Sequence, residues 1–464
     1  MSHWRLARSV SRAGQIGVVS GTALDIVMAR RLQDGDPGGH LRRGLSHFPV
    51  PAVAERIIDR YFLPRGRAPG KSYRSPPMFS IDPSRELLEL TVAANFVEVF
   101  LAKSNHRGVV GINYLEKIQM PLLASLYGSL LAGVDYVFMG AGIPRAIPGI
   151  IDRLIQHEPA TQKLAVEGAG RDEEFLMRLE PNQIVPAPVA PLKRPIFVAI
   201  VASNVLATTL ARKTNGGVNG FVVEGPTSGG HNAPPRGPLT LNQAGMPLYG
   251  PRDVVRLDEI AKLGLPFWLA GSMGNSQSLR AALAAGATGI QLGTAFAYCR
   301  ESGIGPEYKA AILQKVLNGN AQVHTDPRAS PTGFPFKLVQ FEDTVSEQET
   351  YEDRPRLCDL GYLRTHYRRE DGSLGYRCAS EPVDAYVRKG GNLEDVDGRK
   401  CLCNCLLANI ELGQRRQDGY QEKPGITSGD DLVNLGRLMA NGRTKYSAVD
   451  VIRNLLAPAS DPGE

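Results

Sequence analysis

Residues 221–237 read FVVEGPTSGGHNAPPRG. A run of aromatic and β-branched residues leads into a glycine-rich loop that ends in a histidine, the pattern of a strand followed by a functional turn. In a parallel α/β fold such a loop leaves the C-terminal end of a strand, where ligands bind. Gly229 and Gly230 lack Cβ atoms, so the backbone there can approach something flat or bulky. His231 is then held beside it, and an imidazole with an unperturbed pKa of about 6.5 can take or return a proton near neutrality. The same residues also fit a surface loop whose glycines serve only a turn.

Two later stretches decide between these readings. Residues 266–279, PFWLAGSMGNSQSL, read as a buried strand ending at Ala270, a turn through Gly271-Ser272-Met273-Gly274, and a helix capped by Asn275 or Ser276. Residues 289–302, GIQLGTAFAYCRES, repeat the arrangement, with Gln291-Leu292 leading into Gly293-Thr294. Two successive Gly-ended turns are the usual phosphate grip of barrels, formed by the loops after strands seven and eight. A phosphate monoester suits them, and the G-x-G-x-x-G turn that a pyrophosphate prefers does not follow Ser20. The pair points to FMN or a sugar phosphate.

Eight strand-like runs alternate with helical patterns: 16–20, 109–113, 134–139, 163–166, 196–201, 220–224, 266–270 and 289–292. The alternation implies parallel pairing through right-handed crossovers, and eight runs fit a TIM (β/α)8 barrel. Periodicity alone also fits an open doubly wound sheet. Residues 1–339 form the expected barrel, and residues 22–107 are a largely helical insertion, read as a cap over one barrel end. Within it, Asp36-Pro37 signals a helix start, and Ser84–Lys103 carries an apolar stripe at helical spacing. Residues 340–464 form a small C-terminal module with a Pro- and Asp-containing tail.

The chain has 464 residues, 42% hydrophobic and 22% charged, with a net charge of +6. This is ordinary globular composition, with no apolar run of membrane-spanning length. Basic pairs such as Arg42–Arg43 and Arg415–Arg416 are not interleaved with aromatic residues, which argues against a nucleic-acid platform. Arg5, Arg8 and Arg12 would suit a mitochondrial presequence, but Trp4–Ala13 reads as a structural helix running into the first strand, and the cytoplasm is the default compartment.

The order GINYLEK, EGPTSGGH, LAGSMG, IQLGTAF and ES, from about Leu6 to about Gly303, resembles the nitronate monooxygenase family, once called 2-nitropropane dioxygenases. The insertion and the C-terminal module suggest a longer bacterial branch. The resemblance implies an FMN enzyme that oxidises nitronates or similar small carbanionic substrates with O2. It implies that Asn113 hydrogen-bonds the flavin and that Gly229 and Gly230 pack under its ring. Gly271, Ser272, Gln291, Leu292, Gly293 and Thr294 would grip phosphate and ribityl, and His231 would be the active-site acid/base. Ser272 stands where the family has a second glycine. The family also opens with a Pro-Met-x-x-Gly-Val-Ser-like segment lining the flavin, whereas this sequence starts Met1-Ser2-His3-Trp4; the run 163–166 is either a substitute for that strand or part of an insertion.

Five of the six cysteines crowd the C-terminal module. Cys358, Cys378, Cys401 and Cys403 are a candidate zinc set, with the C-x-C pair placed on one face of a strand. The competing reading is small buried hydrophobes. Two other functions remain open. One is an FMN-dependent enoyl-acyl-carrier-protein reductase, which uses a similar GGH loop and takes hydride from NAD(P)H. The other is a flavin-free binding protein or complex subunit. A homo-oligomer is compatible with either.

Overall fold

The computed structural model describes residues 2–186, 190–440 and 442–458, so the end of the C-terminal tail lies outside the described residues. Its centre is a sheet of seven strands: β1 (Gly17–Ser20), β2 (Val110–Leu115), β3 (Tyr136–Gly140), β4 (Ile196–Val201), β5 (Gly220–Glu224), β6 (Phe267–Ala270) and β7 (Gly289–Gln291). Each pairs in parallel with the next in chain order. A doubly wound sheet reverses its order at a switch point. This sheet never reverses, so its winding is that of a TIM-like barrel. Among the described residues β1 and β7 are its two edges and do not pair with each other.

Strand residues alternate between two apolar environments, as a period of two requires. Phe138, Val198, Val222 and Ala270 meet in one small cluster, with Val18, Ile200 and Trp268 beside them. Their neighbours Val137, Phe197, Phe221 and Phe267 face the larger cluster built with the flanking helices. Covering on both faces explains why the strands read as continuous apolar runs.

Seven of the eight expected strands are in this sheet; the run 163–166 is not. Ala160–Lys163 pairs antiparallel with Leu176–Leu179, and Val166–Glu167 pairs with Thr365–Arg368. The burial of Ala160–Lys163 alternates between buried and exposed residues, which marks a ribbon with one wet face.

Between β1 and β2 the chain forms the helices Leu24–Gln33, His40–Leu45, Pro51–Tyr61 and Arg85–Lys103. Ser84 caps the last by accepting a hydrogen bond from the Leu87 N–H. The Asp36 carboxylate accepts from the N–H groups of Leu41 and Arg42, so it serves the helix His40–Leu45 from just outside it. Helix Arg85–Lys103 packs against Trp4–Arg12, against Leu122–Leu131 and against β1 and β2.

Beyond β7 come a hairpin of β8 (Val323–Asp326) and β9 (Phe336–Val339), then the helices Leu402–Ala408 and Ala448–Leu456. Ile426, Leu432, Leu435, Tyr446 and Val451 share an apolar cluster with Leu6, Val10, Ala295 and Tyr298. The C-terminal residues are thus packed into the flank of the sheet.

The expected zinc set is corrected by the same segment. Cys403 and Cys405 lie in helix Leu402–Ala408 with Cys401 at its N-cap, so the C-x-C residues do not share a face as they would on a strand. Burial pushes the Cys401, Cys403 and Cys405 thiols up. Among the described residues no group of three or more His, Cys, Asp or Glu could hold a metal ion. None of the described helices is long and apolar enough to cross a membrane.

Candidate functional site

The loop after β5 is stitched to two distant segments. Gly230 N–H donates to Thr427 Oγ1 at 2.9 Å, and Lys337 N–H donates to the Gly230 carbonyl at 3.0 Å. Asn232 N–H donates to the Pro335 carbonyl, and His231 bridges to Phe336. Strand β9 therefore continues the loop as a short antiparallel contact, which holds the histidine in one place.

Gly229 and Gly230 differ. A Cβ on Gly229 would stand 2.7 Å from the Gly429 nitrogen and from the Ser428 carbonyl carbon. The glycine there makes room for the chain's own backbone. Gly230 has φ of +83° and nothing within 4 Å of its missing Cβ, so it supplies the turn and leaves a free face.

His231 Nε2 lies 2.7 Å from Ser330 Oγ, which in turn bonds Thr332 Oγ1 at 2.8 Å. The ring meets Phe336 edge to face at 4.8 Å between centroids. Burial, assisted by the charge of Lys117, pulls the imidazole pKa down to about 4. The side chain is therefore neutral at pH 7. Among the described residues Nε2 is the ring nitrogen with a hydrogen-bond partner, and Nδ1 has none.

The two glycine turns are neighbours, because β6 and β7 pair with Ala270 opposite Gln291. Gly271 has φ of +101°, and a Cβ there would meet Thr227 Oγ1 at 2.7 Å. Ser272 follows in the left-handed region with φ of +51°, a conformation that costs a serine about 1 kcal/mol. Asn275 caps the next helix by accepting from Ser278 N–H. Thr294 Oγ1 accepts from Gly429 N–H at 2.9 Å, and Asp430 N–H donates to the Thr227 carbonyl. The Gly274 carbonyl accepts from Arg437, whose guanidinium is paired with Asp431.

The structure thus brings Gly229, Gly230, His231, Gly271 and Thr294 to one end of the sheet, with Gln291, Leu292 and Gly293 leading into the second turn. Asn113 sits on β2, paired with Ser20 on β1 and Phe138 on β3. Its Oδ1 is buried without a partner, an acceptor that a ligand N–H would satisfy. Glu224, the last residue of β5, has its carboxyl pushed up to about 7 by burial, with Ser228 pulling the other way.

Sequence reading missed Ser330, Lys337 and the segment Thr427–Asp431. Lys337 is buried and its Nζ donates to Asp430 Oδ1 at 2.6 Å and to Thr325 Oγ1 at 2.8 Å. Nothing local marks these residues, because each acts across some hundred positions or more of chain. A buried lysine in a short apolar strand, FKLV, was the available signal.

The profile of the nitronate monooxygenase family matches residues 184–325. Over 145 residues the chain is 31% identical to a 5-hydroxy-7a-methyl-1-oxo-octahydro-1H-indene-4-carboxyl-CoA dehydrogenase of Mycobacterium tuberculosis, covering 31% of this chain and 36% of that one. Over 125 residues it is 34% identical to a nitronate monooxygenase of Pseudomonas aeruginosa, covering 26% and 33%. The chain therefore spans about a third of the length of these curated relatives. Among solved structures, FabK from Thermotoga maritima superposes with a TM-score of 0.45 at 15% identity, covering 98% of this chain and 88% of that one. A nitroalkane oxidase from Streptomyces ansochromogenes gives 0.44 at 14%, covering 98% and 91%. Residues 184–325, which hold β5, the His231 loop and both glycine turns, are the part of the chain that matches the nitronate monooxygenase family.

Proposed function

We propose that the chain is an FMN-dependent oxidoreductase that oxidises nitronates or similar small carbanionic substrates with O2. The observation that carries this reading is the convergence of the Gly271 turn, Thr294 and the His231 loop at one end of a parallel sheet. It falls inside the segment matched to the family.

The residues present fit the flavin. The orphaned Asn113 Oδ1 offers an acceptor to a ring N–H. The Gly271-Ser272 and Gly293-Thr294 turns would hold phosphate and ribityl, and Gly230, with nothing within 4 Å of its missing Cβ, would leave room for the ring. Bound there, FMN would supply the two-electron chemistry that couples substrate oxidation to O2. The protein's own part is positioning. Ser330 fixes His231 through Nε2, which leaves Nδ1 to hydrogen-bond the substrate. A neutral imidazole suits an anionic nitronate, because it can donate one hydrogen bond without becoming locked in an ion pair.

Nitronate turnover under air, compared in the wild type and His231→Ala, tests this. The expected result is retained flavin with turnover lowered about 100-fold or more, the range for removing a hydrogen-bond donor aimed at developing charge. Equal turnover removes His231 from the chemistry. Rapid flavin reduction by NADPH without nitronate would instead support the enoyl reductase, and a folded colourless protein a flavin-free role.

A further inference from the structure

A second cleft lies in the C-terminal segment. Its cavity volume is about 220 Å³, open to solvent, and it is lined by Tyr351, Glu352, Arg354, Arg356, Arg399 and Lys400, among others. Four of these six side chains are cationic, but their charges are not equally compensated. Arg354 is neutralised by a two-pronged pair with buried Glu422, and Lys400 lies 3.5 Å from Asp326 and over the Tyr351 ring. Arg356 and Arg399 have no carboxylate within salt-bridge distance among the described residues. They are held by backbone carbonyls: Arg356 by Ala379, Glu381 and Val396, and Arg399 by Arg328, Ser330 and Asp395.

Carbonyl oxygens orient a guanidinium without cancelling its charge. Two half-buried, pre-oriented guanidiniums in a roomy cleft are therefore an unpaid electrostatic cost that an anion would offset. On Arg399, Nη1 takes the carbonyls and Nη2 is without a partner among the described residues. The volume of about 220 Å³ admits a phosphate group but lies below the roughly 300–1,000 Å³ of sites that bury a whole small molecule, so the rest of a ligand would lie at the open mouth. Glu352 is the carboxylate on the lining and is exposed; Glu381, close by, is engaged by Lys389. The cleft is also wired to the first site, since Arg399 donates to the carbonyl of Ser330, whose hydroxyl holds His231.

We propose that this cleft binds a phosphate-bearing small molecule, with the guanidiniums of Arg399 and Arg356 holding the phosphate. Arg399 Nη2 and the second proton of Arg356 Nη2 are the donors left for the phosphate oxygens, and charge-assisted N–H···O bonds to phosphate are short and strong.

Calorimetric titration of the purified holoprotein at low salt tests this, with inorganic phosphate, coenzyme A, dephospho-coenzyme A, NADPH and NADH as probes. At least one phosphate-bearing probe is expected to bind saturably. Arg399→Ala should weaken it at least tenfold, and Glu352→Gln, on the exposed lip, should tighten it severalfold while leaving flavin content and nitronate turnover unchanged. Preference for NADPH over NADH, or for coenzyme A over its dephospho form, identifies which monoester is held. Glu352→Gln removes no core contact, so it keeps the proposal testable if Arg399→Ala folds poorly. Absence of saturable binding, or equal affinity in both variants and the wild type, overturns the proposal. Neither outcome bears on the flavin reading, which is measured by flavin content.

Discussion

His231 shows how much a residue's surroundings alter what its type suggests. Sequence reading made it a group that titrates near neutrality. Burial against Phe336, with Lys117 close by, lowers its pKa to about 4, so the ring is neutral over the physiological range. The pH profile of nitronate turnover should then show no histidine limb near 6.5 and should fall only as pH approaches 4. A limb near 6.5 that disappears in His231→Ala would contradict this. The stability consequence has a definite sign. The unfolded chain binds the proton between about 6.5 and 4 while the folded one does not, so this group lowers stability as pH falls through that window. Glu224 works oppositely. Its folded pKa of about 7 lies above that of an unfolded carboxyl, so its contribution is present in acid and is lost as pH rises from about 4.5 to 7.

At the scale of elements, legibility followed locality. Strands β1 to β7 were readable because a strand covered on both faces writes a continuous apolar run into the sequence. The run 163–166 looked the same in composition, but Lys163 ends a half-exposed ribbon and Val166 begins a separate short pairing with Thr365–Arg368. The C-x-C pair failed for a related reason: spacing of two means one face only on a strand, and Leu402–Ala408 is a helix. The glycines of the His231 loop were read as positions of close approach, but Gly230 has nothing within 4 Å of its missing Cβ. For Gly229, however, what approaches is Ser428–Gly429 of the chain itself. Gly229→Ala should therefore cost about 1–3 kcal/mol by forcing backbone apart. Gly230→Ala, which faces open space, should cost about 1 kcal/mol from its left-handed φ alone. Denaturant titration of both variants checks this order, and a reversed order would refute the packing described.

At the scale of the whole molecule, the C-terminal half is wired into the site by contacts that no local pattern announces. Thr427 holds Gly230, Gly429 holds Thr294, and Ser330 holds His231. Behind them Glu422, with no exposed side-chain area, is shared by Arg354 and Arg416. Removing one partner strands part of a buried charge, so Arg354→Met should cost about 3 kcal/mol. The exposed pair Arg388–Asp384 is the control, and Arg388→Met should change stability immeasurably. Equal midpoints for both variants in urea would show that the buried network carries no such weight.

The central claim is that the two neighbouring turns and the His231 loop form one flavin site. Its most direct test is the FMN content of the purified protein, read from its absorption spectrum and from the flavin released on denaturation, in the wild type and in Thr294→Asp. The account predicts about one FMN per wild-type chain and loss of most of it in Thr294→Asp, because a carboxylate beside the phosphate repels it and the hydroxyl that accepts from Gly429 is gone. A folded wild-type protein that is colourless and takes up no added FMN would contradict it.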